Sequence, residues 1–266
     1  MPAVIFKYVP NIAWTPAVLF PLTAPALVMV GAGVFTLIAA RLLRWDHGRM
    51  ASMFLTTGWA NTSFVGFPLL LAFYGPASLA IGVLCDQITF VLVSTVGIAA
   101  AASSQAKASG SGTPVWRTVL GRVAGFPPLW AFAIALTLPH WIDLSPLEPL
   151  FDALAATLGP TALFSVGMQL SFTQIRLGGK VLTLGLAYRL VLAPLLTLGA
   201  AWALGLTGET VRVTVFEMAM APMVTVAVLA SEYGTEPRLV SAMMGLGIPL
   251  SLLTGAGWWW VLGFWP

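Results

Sequence analysis

The sequence predicts an all-α, polytopic membrane protein, and three observations carry that prediction. Of its 266 residues, 59% are hydrophobic and only 8% are charged, where soluble domains carry about 25% charged residues. The mean hydropathy is +0.93. The charges also fall at intervals, and the apolar stretches between them match the roughly 20 residues that a helix needs to cross the hydrocarbon core. Too little polar surface remains for a soluble enzyme, a disordered chain or a nucleic-acid binder. The formal net charge of +3 comes from 12 basic and 9 acidic residues, too few for a basic patch. One cysteine, Cys85, excludes a disulfide framework and a Cys-rich metal site.

Reading between charges gives eight full spans, at 17–40, 51–73, 77–101, 118–139, 150–170, 181–206, 211–230 and 239–264. Residues 1–16 are apolar but short, and Pro10 and Pro16 interrupt them. They lack the basic run, apolar core and cleavage site of a signal peptide and read as the second half of a helix whose beginning is absent. Residues 103–113 are rich in Ser, Ala and Gly and read as a flexible linker. The expected organisation is a first, incomplete repeat (1–101), a linker (102–117) and a second repeat of five helices (118–266).

Lysines and arginines stay on the cytoplasmic side of a membrane. One set of alternate loops holds Arg41, Arg44, Arg49, Lys107, Arg117, Arg122, Arg176, Lys180 and Arg238. The other holds Asp143, Glu148 and Glu209, with Arg212 as its only basic neighbour. The first set is therefore assigned to the cytoplasm of a multi-pass protein in the cell membrane. The C-terminus then lies outside, where Trp258, Trp259, Trp260 and Trp265 suit an interfacial aromatic belt.

Two spans, second from the end of their halves, contain helix breakers. One reads Gly58-Trp59-Ala60-Asn61-Thr62-Ser63-Phe64-Val65-Gly66-Phe67-Pro68, the other Met218-Ala219-Met220-Ala221-Pro222-Met223-Val224-Thr225. Each is followed by a Tyr-Gly turn, Tyr74-Gly75 and Tyr233-Gly234. Pro16-Ala17-Val18-Leu19-Phe20 also resembles Pro160-Thr161-Ala162-Leu163-Phe164. Proline removes a backbone donor, and in hydrocarbon an unwound stretch survives only where it lines a cavity or is buried in protein. Paired broken helices in two halves point to a transporter's substrate site. The competing reading is that Pro and Gly merely kink these helices, as they often do in membranes.

The stretch from Gly58 to Pro68 with Leu69 and Leu70 resembles the Gly-Asn-Thr-x-x-x-Gly-x-Pro-Leu segment of the auxin efflux carrier family. That family includes plant PIN proteins and bacterial malate and organic-acid permeases. Here Trp59-Ala60 separates Gly58 from Asn61. Gly159 to Met168 is similar to the family's Pro-x-x-Leu-Phe-x-x-Gly-Met stretch, and Ala219 to Pro222, Leu229 to Gly234 and Pro249 to Leu252 to its last two helices. The resemblance implies ten helices in two inverted sets of five, with two broken helices crossing near Pro68 and Pro222. It further implies an elevator-like carrier of small organic anions. Asn61 inherits contact with the substrate carboxylate. Phe126-Pro127-Pro128 stands where the family often has Asn-Pro, so no second asparagine is carried over. The family's first helix and the front of its second have no counterpart here.

The candidate site is therefore Asn61, Thr62, Pro68, Pro222 and Thr225. The hydroxyls of Ser63 and Thr225 either meet a carboxylate or bond freed backbone carbonyls. Three charges fall inside spans, where charge is costly and faces a cavity or a partner. Asp86 is either a coupling-proton acceptor or a hydrogen-bonded structural acid. Arg189 neutralises an anionic substrate, pairs with Asp86 or snorkels to the interface. Glu217 is a proton site or a partner of Arg212. His47 and His140 lie in loops on opposite sides and cannot share a metal, and enzyme motifs are lacking, so neither an enzyme nor a cofactor is expected. Gly245-Leu246-Gly247 reads as close helix packing. The expected partners are the lipid bilayer, a small carboxylate, a coupling proton in preference to sodium, and a second copy of the chain in a homodimer. The rival readings are a sodium-coupled symporter of the bile-acid type and a non-transporting membrane subunit derived from a carrier.

Overall fold

The computed structural model describes residues 1–109, 115–169 and 179–266. The described residues are nearly all helical and form no strand beyond one isolated bridge. Helix α1 (Pro2–Tyr8) is short, and Val9–Asn11 turns the chain away at Pro10. Lys7 Nζ lies 2.6 Å from Asp152 Oδ1, and that carboxylate raises the Lys7 pKa above its ordinary value. Helix α2 (Leu19–Leu43) ends where Arg44 takes a left-handed conformation. Asp46 then caps α3 (His47–Gly58), accepting a 2.8 Å bond from Arg49 N, a standard N-terminal signal.

After α3 the chain is extended at Trp59, makes a π turn over Thr62–Gly66 and continues as α4 (Phe67–Phe73). Gly75, at φ +79, makes the left-handed turn that a side chain would oppose. Helices α5 (Leu79–Leu92) and α6 (Ile98–Ser109) run on through a π turn at Val93–Gly97. Helix thus extends through residues 103–109 of the expected flexible linker, and residues 110–114 lie outside the described residues. Next come α7 (Val115–Ala124), α8 (Pro127–Thr137), α9 (Glu148–Ala156) and α10 (Leu158–Gln169). Helices α11 (Gly179–Ala187) and α12 (Ala193–Ala203) sandwich a π turn at Tyr188–Leu192. The second broken segment is α13 (Glu209–Met218) and α14 (Thr225–Glu232), and α15 (Pro237–Leu262) closes the chain.

Four helical segments among the described residues are unbroken, long and apolar enough to cross a membrane: Pro16–Leu43, Pro76–Ser104, Gly179–Ala203 and Pro237–Leu262. The other expected spans are divided into shorter helices. An apolar 18-residue stretch of the first of the four is only 22% buried within the protein, and Val30, Val34, Leu37, Ile38 and Leu42 are exposed along the helix. Water would not tolerate so long an apolar surface, so this is a multi-pass protein in contact with lipid.

The interior is organised around α3, α5 and α13. Val211 and every residue from Val213 to Met218 are buried in α13, as are all but one of the residues from Ala51 to Gly58 in α3. The hydroxyls of Thr56 and Thr57 bond the carbonyls of Ser52 and Met53, at 2.9 and 2.7 Å, so these polar side chains are satisfied within their own helix. Trp258 and Trp259, expected in an interfacial belt, turn their indole N–H groups onto the carbonyls of Leu190 and Phe73. Trp260 is exposed.

Candidate functional site

The two broken helices meet. Asn61 N donates to Ala221 O at 2.8 Å, and Met223 N donates to Trp59 O at 3.1 Å. These bonds flank an antiparallel bridge between Ala60 and Pro222. In an antiparallel pair, opposed residues alternate between hydrogen-bonded and non-bonded positions. Pro222 takes a non-bonded position, where its missing N–H costs nothing. The crossing therefore lies at Ala60 and Pro222, not at Pro68. Pro68 instead lies inside the continuous helical stretch, just where the π turn Thr62–Gly66 passes into α4, an irregular stretch of helix that can accommodate a residue with no N–H.

Asn61 is 1% exposed and N-caps the second half of its broken helix. Its Oδ1 accepts from Phe64 N at 3.2 Å, and its backbone carbonyl accepts from Val65 N and Gly66 N. Its Nδ2 is buried with no hydrogen-bond partner among the described residues. The cap thus consumes the acceptor of the amide and leaves its donor free at the crossing.

Asp86, on α5, faces the π turn that follows Asn61. Its Oδ1 accepts from Thr62 Oγ1 at 2.7 Å and also from Ser63 Oγ, while Gln87 Nε2 approaches Oδ2 at 3.5 Å. The hydroxyls of Thr62 and Ser63 are therefore spent on a protein carboxylate, and not on backbone carbonyls. Thr225 opens α14 two residues beyond Met223 and is half-buried.

Glu217 lies in the last turn of α13, 0% exposed, and neither carboxyl oxygen has a hydrogen-bond partner among the described residues. It is not bonded to Arg212, whose Nε is itself without a partner. Two glycines make room for it. A Cβ on Gly66 would stand 2.7 Å from Oε1 and closer to Oε2, and one on Gly82 would stand 3.3 Å from Oε1. Gly82 and Asp86 share one face of α5, a turn apart, so both acids pack against the Thr62–Gly66 turn.

Arg189 neither snorkels nor pairs with Asp86. It is fully buried. Its Nε donates to Met220 O at 2.9 Å, Nη1 to Thr57 O at 3.1 Å, and Nη2 to Met218 O. These are carbonyls left open where α3 and α13 stop. Pocket-lining positions elsewhere do not reach the crossing: the cavity bounded by Thr36, His47, Met50, Phe54 and Ser103 opens beside α3.

Three contributors escaped the sequence reading. Trp59, buried beneath the crossing, supplies a backbone carbonyl, and an indole in an apolar span looks like any other aromatic. Gly66 belongs to the broken stretch legible in the sequence, but the room that it and Gly82 leave for Glu217 is marked only by the volume of that distant side chain. The expected close packing at Gly247 is present: a Cβ there would lie 2.8 Å from Pro222 Cδ.

The family model described as membrane transport protein matches residues 1–259. An uncharacterized transporter of Methanothermobacter thermautotrophicus is 26% identical over 85% of this chain and 73% of its own length. One from Methanocaldococcus jannaschii is 23% identical over 98% and 86%. Auxin efflux carrier component 6 of Arabidopsis thaliana is 31% identical over 47% of this chain and 21% of its own length. These relatives are transporters, not enzymes. With the match running over nearly all of its length, and with the two broken helices meeting in its interior, the chain belongs to the membrane transport protein family.

Proposed function

We propose that this transporter is a secondary carrier of small organic anions, binding a carboxylate where the two broken helices cross. The observation that carries the reading is the free, buried Nδ2 of Asn61. A buried donor without a partner costs about 1–3 kcal/mol, and a carboxylate would supply the missing acceptor. The half-helices that begin at Thr62 and Thr225 add the partial positive charge of their N-termini. Thr225 and the ring of Pro222 complete the wall of this site. Thr62 shapes it through Asp86, and Pro68 through the passage from the π turn into α4.

The carrier works by alternating access. Asn61 is enclosed, so substrate reaches it only when surrounding elements move, which suits an elevator-like displacement of one domain against another. The arrangement we favour has eight full spans and a short N-terminal fragment, in two inverted repeats (1–101 and 118–266) joined by residues 102–117. It sits in the cell membrane with the C-terminus outside, as a homodimer. Proton coupling is the favoured driving force. An ionised carboxylate without a partner in a membrane interior is expensive, and Glu217 has none, so a proton there, passed with or without the help of Asp86, relieves the cost.

The test is uptake and efflux of labelled organic acids in proteoliposomes, with and without pH and sodium gradients. Asn61→Asp keeps a capping oxygen for Phe64 N but replaces the amide donor with negative charge. Folded Asn61→Asp is expected to lose flux, and wild-type flux is expected to follow the pH gradient. Flux in Asn61→Asp equal to wild type would remove the crossing as the binding site. A folded, inserted wild type that moves none of the acids would remove the carrier reading.

A further inference from the structure

Helices that stop inside a membrane leave open carbonyls and the negative ends of their dipoles. Two such ends face each other at the crossing. Thr57, in the last turn of α3, and Met218 and Met220, at and just beyond the end of α13, direct three carbonyl oxygens onto one guanidinium, each at a different nitrogen. In carriers built from discontinuous helices, open carbonyls of this kind are the donor set that holds a free sodium ion. Here these carbonyls are already taken by a planar cation with fixed N–H directions.

We infer that the Arg189 guanidinium is a tethered cation, filling a carbonyl-lined site at the crossing that a free monovalent cation would otherwise enter. Three features show that the site is built around it. The residue lies in the π turn Tyr188–Leu192, a local widening of the helix that re-aims side chains and often marks function. Tyr188, its neighbour, is anchored across the protein by an O–H bond to Val28 O at 2.8 Å, and the carbonyl of Leu190 on its other side accepts from Trp258 Nε1 at 2.8 Å. The guanidinium also has three different carbonyls for its Nε, Nη1 and Nη2, drawn from two segments far apart in sequence.

Arg189 is thus a positioning residue that pins the ends of both broken helices together. The inference about the site needs no substrate. Its consequence for transport rests on the carrier reading: a tethered cation cannot travel with the substrate, so sodium is excluded as the coupling ion at these carbonyls. A coupling proton must then use another group, and Glu217 is the unpartnered one.

The experiment measures thermal stability of the purified full chain, wild type and Arg189→Ala, in choline, sodium, potassium and guanidinium chlorides at equal ionic strength, all too dilute to denature. Wild type is expected to show no cation-specific shift. Arg189→Ala is expected to melt lower and to be raised again, saturably, by guanidinium above the choline control, with a smaller response to sodium. Merely structural packing by the arginine stem would produce the loss without the rescue, and that result would overturn the inference. A sodium-specific rise in wild type would overturn it as well, and that arm decides the matter if Arg189→Ala does not fold. Proteoliposome flux then reads the consequence: wild type moves substrate equally in sodium and choline. If wild type moves no substrate at all, the carrier reading fails while the stability result still judges the cation site.

Discussion

The two breaks that meet at the crossing are alike in backbone and unlike in chemistry. The first carries an asparagine cap and two hydroxyls held by a buried acid, at Asn61, Thr62, Ser63 and Asp86. The second is Ala219, Met220, Ala221, Pro222, Met223 and Val224, with no side-chain cap on α14. Its open carbonyls are satisfied from outside, by Arg189. The first break therefore supplies the groups that distinguish one ligand from another. The second supplies a rigid ring and a backbone edge against which the first is set. Two helices can share a break and a position while only one of them carries specificity.

The sharpest way to break this comparison is to add one methyl group beside each break. Gly247 faces the second, and a Cβ there would stand 2.8 Å from Pro222 Cδ and 3.1 Å from Leu186 Cδ2. A proline ring cannot swing aside, and overpacking a tight interior costs about 1–3 kcal/mol. Gly58 ends the helix before the first break, and its added Cβ would meet nothing nearer than 3.9 Å. Alanine is the better helix former at both positions by roughly 1 kcal/mol, so the difference between the variants isolates the contact with Pro222. Gly247→Ala is expected to lower thermal stability in detergent and Gly58→Ala to leave it unchanged or raise it. Equal effects would mean that the second break is not rigidly held.

A smaller effect tests the polar side. Thr62→Val removes a hydroxyl that donates 2.7 Å to Asp86 while keeping the shape of the side chain. A hydrogen bond to a charged group contributes about 1.5–3 kcal/mol, and Ser63 still donates to the same oxygen, which places the expected loss near the lower bound, about 1.5 kcal/mol. Thr225→Val, at the corresponding place after the second break, is expected to change stability little. Chemical unfolding of both variants measures the contrast. A Thr225 variant as costly as the Thr62 variant would show that the second break has a polar device of its own.

Much of this was legible in the sequence because it follows from solvent. A chain with so few charges must lie in lipid, and the paired Pro- and Gly-bearing stretches inside apolar spans point to interrupted helices. What the sequence could not reveal is which group each polar residue meets. Asp86, Arg189 and Glu217 look alike as isolated charges in apolar runs, yet one is bonded by hydroxyls, one by carbonyls and one by nothing. Those partners lie between 23 and 132 residues away in the chain, and no local pattern encodes them. Pro68 misled for a related reason: a proline can sit within a helix where a π turn makes room for it, and only the register of Asn61 as cap at the true start, Thr62, separates that from a break.

The smallest effect concerns how the first broken segment is tied, away from the crossing, to the start of α15. Arg49, at the start of α3, reaches Glu236, the residue before α15, with Nη2 3.0 Å from Oε1 and Nε 3.3 Å from Oε2. Glu236 N donates to Ser52 Oγ at 2.7 Å, which fixes the backbone beside the carboxylate. The paired carboxylate raises the Arg49 pKa above its ordinary value. A raised folded-state value means that the stabilisation is fully present below the unfolded arginine's pKa and is lost only as pH climbs beyond it. The arginine's part in the pair is therefore constant through neutral pH. The side chains are 40% and 28% exposed, and solvent screens such pairs to about 0–1 kcal/mol. A double-mutant cycle of Arg49→Ala and Glu236→Ala is expected to return a coupling within that range, weakening with added salt. A coupling several times larger would mean that solvent does not screen the pair and that it ties α3 firmly to the start of α15.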